Sequence, residues 1–371
     1  MSRLLLLLLA CTSLIAADPE LPVFGYGSSD AVIPAKDQEL FFTGFEAGFE
    51  SVYGGKIPKG LIKIEHVYNG TQLGAIDGAQ RLLKQGVRSL IGFPTSHEAL
   101  LVAKIASEAK VFALFPAASH SSLANYGPYV YSTGESTETS VVQALKFIKK
   151  RFAGKKGLVI YSPFAVYSKD QKDRFVEVST RTEFKNLELK FADLNQERML
   201  SAEQIQTLKS DGTAYIFITQ YASEATAVMS QLQQQGIDLP IITNSSWMTG
   251  DIEFVRRYLT LRKAPLYSVG LWLKGGKDSK TFESIVRKRY GVEPTPEIAY
   301  GFDLGSVIAQ VYKDVRHEKH ITSQMIRDAF VKRRCFKQTS SGELCFGPNG
   351  GHAERNVQFV RFTKTGFVTV D

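Results

Sequence analysis

From Leu21 onward, short apolar runs rich in β-branched and aromatic residues alternate with longer stretches whose apolar positions recur every three or four residues. The runs read as strands and the stretches as amphipathic helices, and their alternation marks an α/β fold with parallel sheets. The first series predicts strand 21–26, helix 38–53 with Phe41, Phe42, Phe45 and Phe49 on one face, strand 61–67, helix 73–85, strand 87–93, helix 97–109 and strand 111–115. After a short run at 129–133, a second series predicts helix 137–152, strand 157–161, a helix from about Lys169, strand 187–191, helix 202–209, strand 214–219, helix 224–235 and strand 239–243. An apolar segment at 266–273 and helices near 279–290, 297–315 and 322–332 follow. Strands at 342–346, 357–363 and 367–370 close the chain, with Gly366 at the last turn. Two α/β lobes are expected, with no long linker between them.

Parallel strands bring the loops at their C-terminal ends to one edge, where ligands of open α/β sheets bind. After strand 87–93 come Pro94, Thr95 and Ser96, and Thr95 with Glu98 has the spacing of a capping box. On that reading Ser96 is left to offer its hydroxyl, with the free amides of the first helical turn, to a carboxylate; on the other, Ser96 is itself the cap and binds nothing. The next strand ends in Pro116, Ala117, Ala118 and Ser119, small residues that let a ligand approach the backbone. A right-handed crossover makes these loops neighbours, so Ser96 and Ser119 are expected to converge. The second series offers Tyr167, Tyr221 and the segment Asn244, Ser245, Ser246, Trp247 at matching loops. Together they describe a cleft with hydroxyls on one side and aromatic rings on the other.

Composition narrows the class. With 371 residues, 44% hydrophobic and 22% charged, the chain exceeds one small domain and is neither disordered, collagen-like nor a polytopic membrane protein. Its net charge of +8 comes from groups such as 149–151, 155–156, 256–257 and 332–334, near helix ends where cations favour the dipole. That distribution argues against a nucleic-acid partner. The start of the chain, Arg3 followed by six leucines and then Ala16 and Ala17, has the charged, apolar and small-residue regions of an export signal, expected over 1–17. Leu8 to Cys11 also spell a lipoprotein box, a second reading in which Cys11 carries an acyl anchor. Loss of the signal leaves Cys335 and Cys345, around a turn-like Thr-Ser-Ser-Gly; they form either a hairpin disulfide or two free buried thiols.

Catalytic spacings are absent from the sequence: it holds no G-x-S-x-G, P-loop, G-x-G-x-x-G after a strand, or H-E-x-x-H. His317 and His320, three apart with Glu318 and Lys319 between them, read as solvated surface, so neither metal nor cofactor is expected. A dispersed triad remains open to any fold.

The ordered series from Val23 to the C-terminus resembles the type I periplasmic solute-binding proteins of ABC transporters, in their leucine/isoleucine/valine-binding branch. The likeness rests on the first helix and its turn over 44–55, the stretch 79–92, the Pro116-Ala117-Ala118-Ser119 loop with Leu123, the run from Pro294 to Asp303 and the turn at 346–350. The resemblance implies two Rossmann-like lobes with parallel-rich sheets joined by a three-segment hinge, with crossings near 132–138, 270–275 and 339–345. The lobes would comprise 18–135 with 273–340, and 136–272 with 341–371. Ser96 would then match the family's carboxylate-binding serine, Ala117 its backbone contributor and Ser119 its threonine, while Tyr167 and Tyr221 match its ligand-covering aromatics. One departure stands out. After strand 239–243, where amino-acid binders place an acid for the ligand ammonium, this chain has Ser245 and Ser246, leaving Asp251, Glu224 or Asp303 as substitutes. The resemblance further implies a periplasmic monomer that closes on a small polar, carboxylate-bearing or amino-acid-like molecule and presents it to an ABC permease; a membrane sensor as partner, or a secreted hydrolase, are the alternatives.

Overall fold

The computed structural model describes residues 21–29, 35–67, 71, 73–249, 252–270, 272, 279–355 and 357–370. The expected signal over 1–17, Cys11 and Asp251 lie outside the described residues.

The first lobe is built from β1 (Phe24–Ser29), α1 (Ala35–Tyr53), β2 (Ile62–Val67), α2 (Gly74–Lys84), β3 (Ser89–Gly92), α3 (Ser96–Ala109), β4 (Phe112–Phe115) and β5 (Val130–Ser132). The chain then passes into the second lobe through α4 (Thr137–Arg151), β6 (Lys156–Tyr161), α5 (Val166–Ser179), β7 (Glu188–Asp193), α6 (Ala202–Ser210), β8 (Thr213–Ile218), α7 (Thr226–Gln234), β9 (Ile241–Thr243), α8 (Ile252–Thr260) and β10 (Leu266–Gly270). It returns through α9 (Lys280–Ile285), α10 (Pro296–Val315), α11 (Ser323–Arg333), β11 (Cys335–Thr339), β12 (Gly342–Phe346) and β13 (Gly351–Glu354), and ends as β14 (Gln358–Thr363) and β15 (Gly366–Val370).

Two mixed sheets result. The eight-stranded sheet has the order β11-β12-β13-β5-β4-β3-β1-β2 and the seven-stranded one β15-β14-β10-β9-β8-β6-β7. In each, the strands of the βα series pair in parallel and an antiparallel edge is added from the C-terminal part of the chain. The central strands β3 and β4 are buried on both faces, which is why they read as continuous apolar runs rather than alternating ones.

The third crossing differs from the expected one. The turn at 339–342 does not leave the first lobe; it folds β12 back on β11, with Cys335 opposite Cys345 and their sulfurs bonded as a disulfide. β13 then pairs in parallel with β5, Gly351 opposite Tyr131. Residues 342–354 therefore belong to the first sheet, not the second, and the chain crosses between Glu354 and Gln358. The first crossing lies between Ser132 and Thr137, within the expected span.

Helices α1 and α10 approach each other more closely than side chains allow. A Cβ on Gly44 would lie 2.1 Å from the Ile298 carbonyl oxygen and one on Gly48 2.1 Å from that of Phe302. In the other direction, a Cβ on Gly301 or Gly305 would meet the carbonyl oxygens of Phe41 and Phe45 at 1.9 and 2.0 Å. The glycines permit backbone-to-backbone contact at some cost in helix propensity. Burial of Phe45 and Phe49 on α1 and of Leu304 and Ile308 on α10 offsets that cost.

Candidate functional site

The loop after β3 opens the site. Phe93 holds a positive φ of 52°, uncommon for a bulky residue. Its ring fills the space over Gly27, where a Cβ would come within 2.1 Å of it. Pro94 leads to Thr95, the N-cap of α3. Thr95 Oγ1 accepts from the Glu98 amide at 3.2 Å, and Thr95 N donates to Glu98 Oε2 at 3.1 Å. The capping box thus occupies Thr95, while Ser96 Oγ accepts from the Ser119 amide at 3.2 Å. Ser119 is held in turn by Thr137, whose amide and hydroxyl both donate to its carbonyl at 2.8 Å.

The second lobe supplies rings. Tyr167 lies in the first turn of α5 rather than in the loop before it, because the helix begins three residues earlier than its apolar period suggests. It stacks on Tyr221, in the turn after β8, with centroids 4.7 Å apart and planes at 21°. Gln171 Nε2 donates to the Tyr167 phenol oxygen at 2.7 Å, and the Ser96 amide donates to the Tyr221 phenol oxygen across the lobes at 3.4 Å. Burial first, then Tyr221 and Glu135, push the Tyr167 phenol well up; burial and then Glu224 push Tyr221 up. Both rings therefore stay neutral near pH 7 and keep an O–H to donate.

After β9, the Ser246 hydroxyl donates to Asn244 Oδ1, and Ser245 Oγ donates to Glu135 Oε1 at 2.8 Å. Trp247, which the sequence placed at a cleft wall, is instead buried in the second-lobe core, with Nε1 donating to the Gln220 carbonyl.

All seven of the expected ligand residues line one cavity of about 30 Å³: Thr95, Ser96, Ala117 and Ser119 from the first lobe, and Tyr167, Tyr221 and Ser246 from the second. Sequence reasoning missed Phe41, Pro94, Thr249 and Tyr300, which also line it. Phe41 reads from the sequence as a core-face residue of its helix; it stacks on Tyr300 at 6.3 Å where α1 and α10 meet the cleft. The Tyr167–Tyr221 pair also walls a larger outer cavity of about 470 Å³, bordered by His97, Phe164, Val166, Arg198 and Glu224.

The acids named as substitutes are engaged elsewhere. Glu224 faces Arg198 at 3.6 Å on the outer cavity. Asp303 is wholly buried against Arg355, which also donates to the Thr133 carbonyl and the Ser341 hydroxyl, and Asp303 accepts from the Ser340 amide. These bonds tie the first and third crossings to α10. Glu135, in the first crossing, is 1% exposed. Its Oε1 accepts from Ser140 at 2.9 Å and from Ser245, and its Oε2 has no partner. Burial pushes this carboxyl up, partly opposed by the Ser245 and Ser140 hydrogen bonds.

His317 and His320 are exposed. Cys335, Glu343 and Cys345 have metal-ligand proximity, but the two sulfurs are bonded to each other. No helix among the described residues is long and apolar enough to cross a membrane.

A family model described as periplasmic binding protein matches residues 39–366. No curated protein matches the chain. Among solved structures it is similar to a leucine-binding protein, LivK, from Thermotoga maritima, with 17% identity over 94% of this chain and 98% of that one and a TM-score of 0.77. It is also similar to an ABC-transporter solute-binding protein from R. palustris in complex with benzoate (15% identity, 94% and 95% covered, TM-score 0.75). A fatty acid ABC transporter substrate-binding protein from Thermomonospora curvata is similar at 15% identity, with 96% and 93% covered and a TM-score of 0.75. At these identities the likeness is one of fold.

Proposed function

The chain belongs to the periplasmic binding protein family, and from that premise we propose that it captures a small polar, carboxylate-bearing molecule between its lobes and presents it to an ABC permease. The observation that carries this reading is the convergence on one cavity of hydroxyls from the first lobe and neutral phenols from the second. Ser96, Ser119 and the first-turn amides of α3 offer hydrogen bonds suited to a carboxylate, and the stacked tyrosines cover it from the opposite jaw.

A cavity near 30 Å³ has room for a few water-sized molecules at most. The lobes must part to admit a guest and close again around it. Ligand contacts to both jaws then favour the closed state by their differential affinity, and a permease that docks only the closed form reads occupancy. The work is done by a monomer in an extracytoplasmic, oxidising compartment, where the Cys335–Cys345 bridge persists.

Mass spectrometry of the small molecules that co-purify with the exported chain identifies the guest. The Ser96→Ala/Ser119→Ala double variant is expected to abolish the thermal shift that this guest gives the wild type, with the unliganded melting temperature kept within a few degrees. Unchanged affinity in that variant overturns the site.

A further inference from the structure

A second set of contacts joins the lobes outside the cavity. The chain that leaves Ser119 runs through His120 into a short 3-10 turn, Ser121–Tyr126. The Ser121 amide and hydroxyl both donate to Oδ2 of Asp170, at 3.0 and 3.2 Å, and Asp170 is buried on α5 of the opposite lobe. His120 caps the turn, its Nδ1 accepting from the Ser122 amide at 3.1 Å, so in the neutral ring the proton is on Nε2. His352 comes from β13, which packs on the same turn, and its Nε2 is buried with no hydrogen-bond partner. None of His120, Ser121, Asp170 and His352 is among the cavity's described lining residues. Ser121 nevertheless follows Ser119 by two residues, and Asp170 follows Tyr167 by three. Closure that brings Tyr167 to the cavity thus also brings Asp170 to the turn.

We propose that His120, Ser121 and His352 on the first lobe and Asp170 on the second form a proton-sensitive latch, which holds the lobes together at neutral pH and releases them in mild acid. This rests on the reading of the cleft as a trap that closes, and concerns how that closure is regulated. Imidazoles lying between packed lobes lose the water that would solvate an added proton. A proton on His120 Nδ1 also sets two N–H groups face to face at the cap and releases the Ser122 amide. The Asp170 carboxylate favours protonated rings, but burial outweighs it. His120 is held below 6.5 first by desolvation, and His352 is pushed to about 4 by desolvation, with His120 adding to the shift. Of the other charges on α5, Arg174 and Lys169 lower His120 and Asp173 raises it, and Lys169 pairs with Asp173 at 2.8 Å. Tyr131 on β5, next to the residue opposite His352, is raised by burial and stays neutral. Parting of the lobes returns water to both rings, so the open form takes up protons more readily as pH falls from 6.5 towards 4, and acid favours it.

The test is hydrogen exchange, resolved to single amides, of the exported chain at pH 7.5 and pH 5, each rate divided by its intrinsic value at that pH. The Ser121 amide reports the latch, and the Ser96 amide, bonded to the Tyr221 phenol, reports opening at a separate interlobe bond. Both are expected to lose about 10-fold in protection at pH 5, the effect of linking closure to about one histidine. The His120→Gln/His352→Gln variant is expected to keep its protection at both pH values, whereas Asp170→Ala lowers it at both. Loss at Ser121 without loss at Ser96 marks fraying of the turn alone and overturns the latch. A pH response that survives in the histidine variant overturns it too. So does equal protection at both pH values in the wild type, a result that decides the matter even if the variant does not fold. None of these outcomes touches the assignment of the cleft, which stands or falls on the Ser96→Ala/Ser119→Ala variant.

Discussion

Asp303 and Glu135 are both carboxylates buried where the lobes join, yet one is surrounded by partners and the other is not. Asp303 has a guanidinium on one oxygen and a backbone amide on the other, and the same guanidinium reaches the carbonyl of Thr133, two residues from Glu135. Glu135 has two hydroxyls on one oxygen and nothing on the other. An acid with a partner from within the chain on each oxygen is a joint; one with an oxygen left unanswered carries its desolvation cost less fully compensated.

The comparison is broken most forcefully from the Asp303 side. Arg355→Met leaves a buried charge with only one amide, and denaturant unfolding is expected to show a loss of about 3–5 kcal/mol. Adding Asp303→Asn should recover most of it, since the charge goes too; no recovery would show that Arg355 acts through its bonds to the crossings alone. Glu135→Gln is expected to do much less to the unliganded protein, within about 1 kcal/mol and in the stabilising direction, because it removes a buried ionisable group whose hydroxyl partners an amide can keep.

The smallest effect is one of pH. Glu135 is raised above 4.5, so the folded state holds its proton more tightly than the unfolded chain. Its contribution to stability is full below 4.5 and is lost as pH rises through the raised value. His352, half-buried in β13, is pushed down from 6.5 to about 4 by desolvation, with His120 adding to the shift and Asp170 opposing it, so its contribution is present above 6.5 and lost as pH falls towards 4. The two slopes oppose each other. Only the difference between wild-type and Glu135→Gln stability curves isolates the first, and that difference should grow as pH rises from 4.5. A flat difference would mean that Glu135 titrates as it does in the unfolded chain.

Much of this architecture could be read from the chain in advance, and the misreadings have common causes. The βα alternation announced both sheets, whereas the sequence left Thr95 and Ser96 both open as the cap of α3 and the structure places it at Thr95. β13 was missed because Gly-His-Ala-Glu alternates nothing and owes its extended form to β5, more than two hundred residues earlier. The third crossing was placed at the Thr-Ser-Ser-Gly turn because a turn looks alike whether it leaves a sheet or folds back within it. Glu135 escaped notice for a related reason: its burial arises only when two lobes meet around a segment with no period of its own. Phe41 reads correctly as inward-facing, but periodicity does not distinguish a helix turn that abuts the core from the next one, which abuts a cleft.

The paired glycines of α1 and α10 carry a consequence for how such a receptor changes its diet. Carbonyl oxygens and α-carbons already touch there, so no substitution can draw the two helices nearer, and any added atom pries them apart along with Phe41 and Tyr300. The back of the trap therefore has a fixed gauge. A change in the width of the cavity would have to come from the opposite wall, by reshaping Tyr167, Tyr221 and the serines beyond β9.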